Sequence, residues 1–273
     1  MSHKKHKREL DTLQNRGGPN HLSAIAHAYE HFDDVASKKL SAPKVACSAG
    51  CSHCCRQLVF VTPIEGLAMR FELDRARFGS NREAASAAQA VAQRTVDWIN
   101  RFQEWTKSAT IPPEQVIAEF AETDEHTRQR WLRSASMIAL SFLSLKLPCP
   151  ALDENGKCLL YGSRPVSCRA YWSYDALACE RFLQEPLRSF IKKGEPIPKP
   201  PFEGRLREGL EAQVSEIGLM AGDSRRFRLP LPYALADPWR WFARWRKEGP
   251  VDWAEAPDAP PVDWPRPETG KGQ

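Results

Sequence analysis

The sequence lacks the uninterrupted apolar run of about 20 residues that a membrane-spanning helix needs, so we expect no membrane partner. It also lacks an apolar stretch behind its basic first residues, and we therefore expect no secretory signal peptide. These absences favour a location in the cytoplasm, where reducing conditions make structural disulfides rare.

Positive charge is in small excess only. The 273 residues include 39 Lys and Arg against 34 Asp and Glu, which gives a formal net charge of +5. The basic residues from His3 to Arg8 account for much of the local basicity, and no basic face with interleaved aromatic residues accompanies them. Nucleic acid is therefore not an expected partner.

Motifs that would identify a common enzyme are missing as well. The sequence shows no Ser, His and Asp order typical of hydrolases, no paired catalytic carboxylates and no glycine-rich phosphate loop. The adjacent acidic residues Asp153 and Glu154 are better explained as turn residues than as an acid and a base. The sequence alone leaves open whether the protein is an enzyme.

Cysteine, in contrast, is concentrated. Of the eight cysteines, four form one short run, Cys47, Cys51, Cys54 and Cys55, and four follow later, Cys149, Cys158, Cys168 and Cys179. Thiolate sulfur is the ligand that zinc and iron–sulfur clusters prefer. The pattern predicts a metal site built from these eight residues, with iron or an iron–sulfur cluster as the expected cofactor and zinc as the alternative.

The division of the eight sulfurs stays open, because two four-sulfur sites and one site with spare thiols both fit. Cys54 and Cys55 are not expected to be equal ligands of one tetrahedral site, since neighbouring side chains point apart in an extended backbone. His53 is expected to be an exposed loop histidine rather than a ligand. Cys179 stands apart, and a small buried apolar residue explains it as well as a ligand does.

Arginines accompany the cysteines. Arg56 and Arg169 directly follow cysteines, and Arg164 lies close by in the sequence. Their guanidinium charge would offset the negative charge of a tetrathiolate centre, although ordinary surface arginines would give the same pattern. We predict that these three arginines and Tyr161 contact the cofactor. The iron–sulfur enzyme alternative further predicts a cavity beside the cysteine run, lined by polar groups such as these and Tyr171.

Apolar periodicity and capping residues predict a mostly α fold, with helices at about 22–40, 63–78, 80–105 and 206–217. Thr62-Pro63-Ile64-Glu65 is a capping box with proline at the first helical position. Ser80 and Glu83 form a second capping box at the start of the longest helix.

The segment after Pro148 predicts a small cysteine-rich β-hairpin. Two short strands would be joined by the Asn155-Gly156 turn, which would bring Cys149 and Cys158 towards each other. We expect metal to hold this hairpin and the first cysteine loop against the helices.

One helical metal-binding domain over 21–248 is expected. Residues 1–20 are predicted to be a disordered basic segment. Residues 249–273 are predicted to be disordered and are rich in proline and acidic residues, with little apolar material to bury.

The spacing Cys47-x3-Cys51-x2-Cys54 also occurs in radical-SAM enzymes, whose three cysteines leave one iron of a [4Fe–4S] cluster open. In that superfamily the motif follows the first strand of a β/α barrel. Here the surrounding sequence is helical and lacks strand–helix alternation, which disfavours this assignment.

Two groups of residues together resemble the YkgJ-type CxxCxxCC family, which is described as a zinc- or iron-chelating domain. The first group is Cys47-x3-Cys51-x2-Cys54-Cys55 with Val61-Thr62-x2-Glu65. The second is Cys149-Pro150-x-Leu152 with Cys158-x2-Tyr161-x2-Arg164-Pro165-x2-Cys168-Arg169-x-Tyr171. The resemblance covers residues 47–171, and the first gap holds three residues where the family name implies two.

The resemblance implies a metal-binding set of Cys47, Cys51, Cys54, Cys55, Cys149, Cys158 and Cys168, and Cys179 lies outside it. A weaker similarity extends to flagellin lysine N-methylases, for which an iron–sulfur centre and methyl transfer have been proposed. No methyl-donor motif of the glycine-rich kind is present in the sequence.

The expected function is therefore metal binding through a cysteine cluster. One alternative is an iron–sulfur-dependent enzyme, with methyl transfer or peptide modification as its reaction. Another is a structural zinc module that presents a surface, such as the Trp-rich segment 239–245, to a protein or peptide partner.

Overall fold

The computed structural model describes residues 18–39, 46–47, 50–108, 142–143, 145–173, 175–184, 205–220 and 229–236. This part of the chain is mostly helical, as predicted. Its helices are α1 (Gly18–Lys39), α2 (Pro63–Phe78), α3 (Arg82–Ser108), α4 (Val166–Arg169), α5 (Ala176–Gln184), α6 (Arg205–Met220) and α7 (Leu231–Ala236). Two short strands, β1 (Phe60–Val61) and β2 (Leu229–Pro230), pair antiparallel and join distant parts of the chain.

The start of α2 confirms the predicted capping box. Glu65 N donates to Thr62 Oγ1 at 3.3 Å, and Thr62 N donates to Glu65 Oε2 at 2.8 Å. Pro63 occupies the first turn, where its missing N–H costs nothing.

The start of α3 differs from the prediction, because Asn81 caps the helix instead of Ser80. The side-chain oxygen of Asn81 accepts from the N–H groups of Glu83 at 3.0 Å and Ala84 at 3.1 Å. One asparagine oxygen thus satisfies two N–H groups that have no partner within the helix.

The first helix begins earlier than predicted. It starts at Gly18, inside the segment expected to be disordered, and Pro19 lies in its first turn, where proline is favoured. Residues 1–17, the Trp-rich segment 239–245 and residues 249–273 lie outside the described residues.

Helix α2 lies between two hydrophobic clusters. One cluster joins α2 to α1, α4 and α6 through residues such as Ile25, Leu67 and Val214. The other joins α2 to α3 and α7, and in it the Trp98 and Phe102 rings stack with centroids 5.0 Å apart. Cys149, Cys158 and Cys168 pack against this second cluster, so the helical core supports the cysteine region.

Close packing of α2 against α7 depends on Gly66. A Cβ atom added to Gly66 would lie 2.5 Å from the Cβ of Ala234, far inside van der Waals contact. Helix α7 is further fixed by Arg70, whose Nη1 donates to the carbonyl oxygen of Ala236 at 2.6 Å. No helix within the described ranges has the length and apolar character required to cross a membrane.

The predicted hairpin is present only as a turn. Among the described residues of this segment, a single antiparallel bridge between Leu152 and Cys158 takes the place of the two expected strands. Asp153 explains the difference, because its Oδ1 accepts from Asn155 N at 2.9 Å and Lys157 N at 2.7 Å. These side-chain bonds close the turn locally and leave few residues for a ladder.

Candidate metal site

The fold brings the two cysteine-bearing segments into direct contact. Cys149 N donates to the carbonyl oxygen of Cys55 at 2.7 Å, and Arg56 Nη1 donates to that of Lys146 at 2.8 Å. At the far side of the contact, Ala46 N donates to Ser173 O at 2.8 Å. Backbone and side-chain hydrogen bonds thus join the first cysteine segment to the second at Ala46, Cys55 and Arg56.

Two glycines permit this close approach. Gly50 and Gly156 have φ angles of +90° and +73°, values that residues with a side chain rarely adopt. A Cβ atom on Gly156 would also lie 3.0 Å from the carbonyl oxygen of Gly50 and 3.3 Å from Ser52 Oγ. The predicted Asn155-Gly156 turn therefore packs directly on the first cysteine loop.

All eight cysteines are free thiols, and four of them form what we call the inner group: Cys54, Cys149, Cys158 and Cys168. Burial raises the pKa of the Cys149 thiol to about 12, and the negative charges of Cys158 and Cys54 act in the same direction. Burial also raises the pKa of Cys168, with contributions from Cys149, Cys54 and Cys158. These mutual effects mean that the four sulfurs lie within electrostatic range of one another.

Cys54 also belongs to a second set, the outer group of Cys47, Cys51, Cys54 and Cys179. Burial raises the pKa of Cys179, and the charges of Cys47, Cys51 and Cys54 add to the effect. Cys47 is held in place by Ser173, whose N–H donates to the Cys47 sulfur at 3.2 Å. Cys179, which lies outside the resemblance, is thus brought close to the first cysteine run.

Cys55 directly follows Cys54, the cysteine that belongs to both groups. A hydrogen bond with the Cys55 side chain, together with burial, raises the pKa of the Cys54 thiol far above its usual value. The two residues lie in a 3₁₀ turn, Cys54–Arg56, so their side chains do not alternate as in an extended backbone. The argument that they point apart therefore does not apply here.

Arg164 is the predicted arginine whose charge reaches the most cysteines. Burial raises the pKa values of Cys158 and Cys168, and the positive charge of Arg164 opposes that rise. The guanidinium lies over the Tyr161 ring, 3.5 Å from its centroid, and Tyr161 itself is largely exposed. This position suits an arginine that offsets thiolate charge, and contact with a cofactor stays a prediction for both residues.

Arg169 has several partners within the protein, and its contact with a cofactor stays a prediction. Its guanidinium is buried, donates to the carbonyl oxygens of Arg164 and Gly162, and forms an ion pair with Asp33 of α1. It also lies over the Tyr29 ring, 4.1 Å from the centroid. Arg56 likewise binds a backbone carbonyl, as described above, so both arginines hold protein segments together.

A small cavity lies beside Cys54. It is lined by His53, Cys54, Gln57, Leu143, Tyr171, Cys179, Phe182 and Leu183, so it includes Tyr171 but none of the three arginines. Its volume is about 10 Å³, which is room for about one water molecule. Pockets that bind organic ligands are about 300 Å³ or larger, so an organic substrate would require this cavity to open.

The donor atoms suit a thiophilic metal, but their present arrangement is not a finished site. In the part of the chain that the structure describes, no group of three or more His, Cys, Asp or Glu side chains is arranged to hold a metal ion. Free thiols that share one region are the donor set that zinc and iron–sulfur clusters use. Metal binding would require these side chains to draw together and lose their protons.

Glu65, which caps α2 and belongs to the first group of the resemblance, also has partners on two other helices. Its Oε1 also accepts from Val166 N at 2.7 Å and from the Tyr29 hydroxyl at 3.3 Å. We call these residues, with Thr62, the Glu65 junction. It fixes the start of α4, the helix that carries Cys168, and no local sequence signal could reveal a partner so far along the chain.

Comparison with known proteins adds no relative. No family model, no curated protein and no solved structure matches this chain. The resemblance to the YkgJ-type family therefore stays a prediction that rests on the residues quoted above.

Proposed function

We propose that this protein binds metal through its cysteine cluster, as iron, most simply in an iron–sulfur cluster, or as zinc. The observation that carries the proposal is the convergence of two distant cysteine segments, joined by the bond from Cys149 N to Cys55 O at 2.7 Å. Segments so far apart have no local reason to meet with their cysteines facing the same region. A shared metal supplies such a reason.

The inner group, Cys54, Cys149, Cys158 and Cys168, is the proposed ligand set, with the outer group as a source of further ligands. Burial and mutual repulsion raise the pKa values of these thiols. A cation among the sulfurs would lower the free-energy cost of deprotonating each thiol. When bound, zinc would supply a structural cross-link, and an iron–sulfur cluster would supply a redox or Lewis-acid centre.

The chain's own residues would support such a centre in two ways. Arg164 would offset the negative charge of the thiolates, since its charge already opposes the rise in their pKa values. The second hydrophobic cluster, which packs against Cys149, Cys158 and Cys168, would exclude water from one side of the metal site. We place this function in the cytoplasm, because eight free thiols suit a reducing compartment.

An iron–sulfur-dependent enzyme is the second candidate, and the cavity beside Cys54 is the observation that favours it. Methyl transfer or peptide modification would need this cavity to open for a protein or peptide substrate. A structural zinc module would instead show closed sites and would not bind small molecules there.

Cys158→Ser tests the proposed ligand set. We expect this variant to lose bound metal when its content is measured after purification without oxygen, because serine is a poor ligand for these metals. Leu159→Ser is the matched control, since Leu159 is the next residue of the same turn, is exposed and carries no thiol. Equal metal content in Cys158→Ser and the wild type would contradict the assignment.

A further inference from the structure

Lys146, which lies shortly before Cys149 in the sequence, has an unusual backbone conformation. Its φ angle is +52°, and among the described residues it is the one non-glycine residue with a positive φ. The Cβ atom makes this left-handed conformation costly, and a lysine side chain cannot offset the cost with a local hydrogen bond as asparagine does. A residue other than glycine keeps such a conformation only where its surroundings hold it there.

Hydrogen bonds on both sides of Lys146 hold this conformation. Lys146 N donates to the carbonyl oxygen of Leu143 at 3.1 Å, which fixes the peptide group before Lys146. Arg56 Nη1 donates to the carbonyl oxygen of Lys146 at 2.8 Å, which fixes the peptide group after it. Because φ and ψ are the only soft rotations between these two planar groups, Arg56 sets the direction in which the chain leaves Lys146.

The direction set at Lys146 determines where Cys149 lies. Pro148 fixes its own φ and disfavours a helical conformation in the residue before it, so the chain between Lys146 and Cys149 has little freedom to change course. At the end of this short stretch, Cys149 N donates to the carbonyl oxygen of Cys55 at 2.7 Å. Since Arg56 directly follows Cys55, one turn of the first cysteine segment holds both ends of residues 146–149.

We infer that Arg56 is a positioning residue: its bond to the Lys146 carbonyl holds the left-handed conformation and so places Cys149 beside Cys55 before metal binds. The inference deepens the proposed metal-binding function and rests on it. Without Arg56, Lys146 would relax to an unstrained conformation and the Cys149 segment would move. Metal binding would then have to restore the strained turn, which corresponds to about tenfold weaker binding.

Substitutions at Lys146 separate this role from an effect of the Arg56 charge. Arg56→Gln removes both the bond and the charge. Lys146→Gly removes the Cβ atom, so the left-handed conformation no longer depends on the bond. Lys146→Ala is the matched control, because it also loses the lysine side chain but keeps the Cβ atom. Arg101→Gln, at an exposed position of α3, is the control for the loss of one positive charge.

Two rates are measured for each variant. One is the rate of metal loss to EDTA from protein purified without oxygen. The other is the rate at which iodoacetamide alkylates Cys149 in EDTA-stripped protein, followed by peptide mass spectrometry, and it reports the position of Cys149 without metal. Cys168 in the same samples is the internal control, because a general loosening of the fold would speed alkylation of both cysteines.

We expect both rates to rise about tenfold in Arg56→Gln, with alkylation of Cys168 unchanged. Adding Lys146→Gly to Arg56→Gln should bring both rates back close to the wild-type values, since glycine adopts the left-handed conformation readily. Adding Lys146→Ala should give no rescue, and Arg101→Gln should match the wild type.

Three results would overturn the inference and leave the proposed function standing. The first is an Arg56→Gln variant whose two rates match those of the wild type. The second is faster metal loss that Lys146→Gly does not rescue, because Arg56 would then act through its charge. The third is equally faster alkylation of Cys149 and Cys168, which would mean a general loosening of the fold. A wild-type protein that holds no thiolate-bound metal would contradict both the inference and the proposed function.

Discussion

The Glu65 junction and the inner cysteine group meet at the same short helix, α4, yet they differ in how their polar atoms are satisfied. Both carboxylate oxygens of Glu65 accept hydrogen bonds, from Thr62, Val166 and Tyr29. The buried thiols of the inner group instead raise one another's pKa values. The carboxylate of Glu65 is satisfied as folded, whereas the thiols disfavour one another's charged form despite the charge of Arg164.

This difference separates the frame from the site. The helical frame, fixed by Glu65 and by the ion pair of Arg169 with Asp33, is satisfied by groups within the protein. The cysteine thiols would gain a partner from a metal cation, which binds the thiolates as their protons leave to solvent. We therefore expect substitutions in the frame to destabilise the protein with or without metal. Substitutions among the cysteines should destabilise it by removing bound metal.

The largest effect on stability is expected from Glu65→Ala. Removing the carboxylate leaves Thr62 N, Val166 N and the Tyr29 hydroxyl buried without their acceptor, at about 1 kcal/mol or more each. Urea unfolding should therefore show a loss of about 3 kcal/mol or more in the free energy of unfolding.

The loss in Glu65→Ala should be equal in EDTA-stripped and untreated protein. Glu72→Ala is the matched control on the same helix. Among the described residues Glu72 pairs with the exposed Arg75, so the variant should change stability by about 0.5 kcal/mol or less. A loss in Glu65→Ala that disappears after EDTA treatment would break the separation of frame and site.

A smaller effect is expected from Gly66→Ala, which also acts on the frame. The new methyl group would meet Ala234 Cβ, so α2 and α7 must move apart, at a cost of about 1–3 kcal/mol. Gly209→Ala in α6 is the control, because no described atom outside its own stretch of helix lies within 4 Å of its added Cβ. That control should be stabilised by up to about 1 kcal/mol through helix propensity, and thermal unfolding of both variants measures the difference.

Should Gly66→Ala prove as stable as the wild type, the close contact between α2 and α7 would be contradicted. Metal content should be unchanged in both glycine variants, since the described atoms nearest to an added Cβ at Gly66 belong to Ala234 and none lies near Gly209. A loss of metal in Gly66→Ala alone would mean that the frame and the site are coupled through α2.

Local signals in the sequence predicted the features that depend on neighbouring residues. The capping box of Thr62 and Glu65 and the turn at Gly156 follow from side-chain chemistry over a few positions, and both are confirmed. The cap at Ser80 was predicted wrongly because the helix begins at Arg82, which places Asn81 at the N-cap, and asparagine caps a helix about as well as serine.

Long-range partners could not be predicted from the same signals. The position of Arg169 after a cysteine gives no sign of Asp33 and Tyr29, which the fold places against its guanidinium. The hydrogen bond from Arg94 of α3 to the carbonyl oxygen of Pro150 gives no sequence signal, because an arginine on a helix ordinarily faces solvent. The nearness of Cys179 to the first cysteine run depends on how α5 packs, which periodicity alone does not specify.

The most direct test of the central claim is metal and acid-labile sulfide analysis of the wild-type protein purified without oxygen. We predict stoichiometric iron with sulfide and a broad brown absorption, or stoichiometric zinc in a colourless protein, and a lower melting temperature after the metal is removed. A metal-free protein that melts at the same temperature before and after EDTA, with all eight cysteines open to a thiol reagent, would contradict the account.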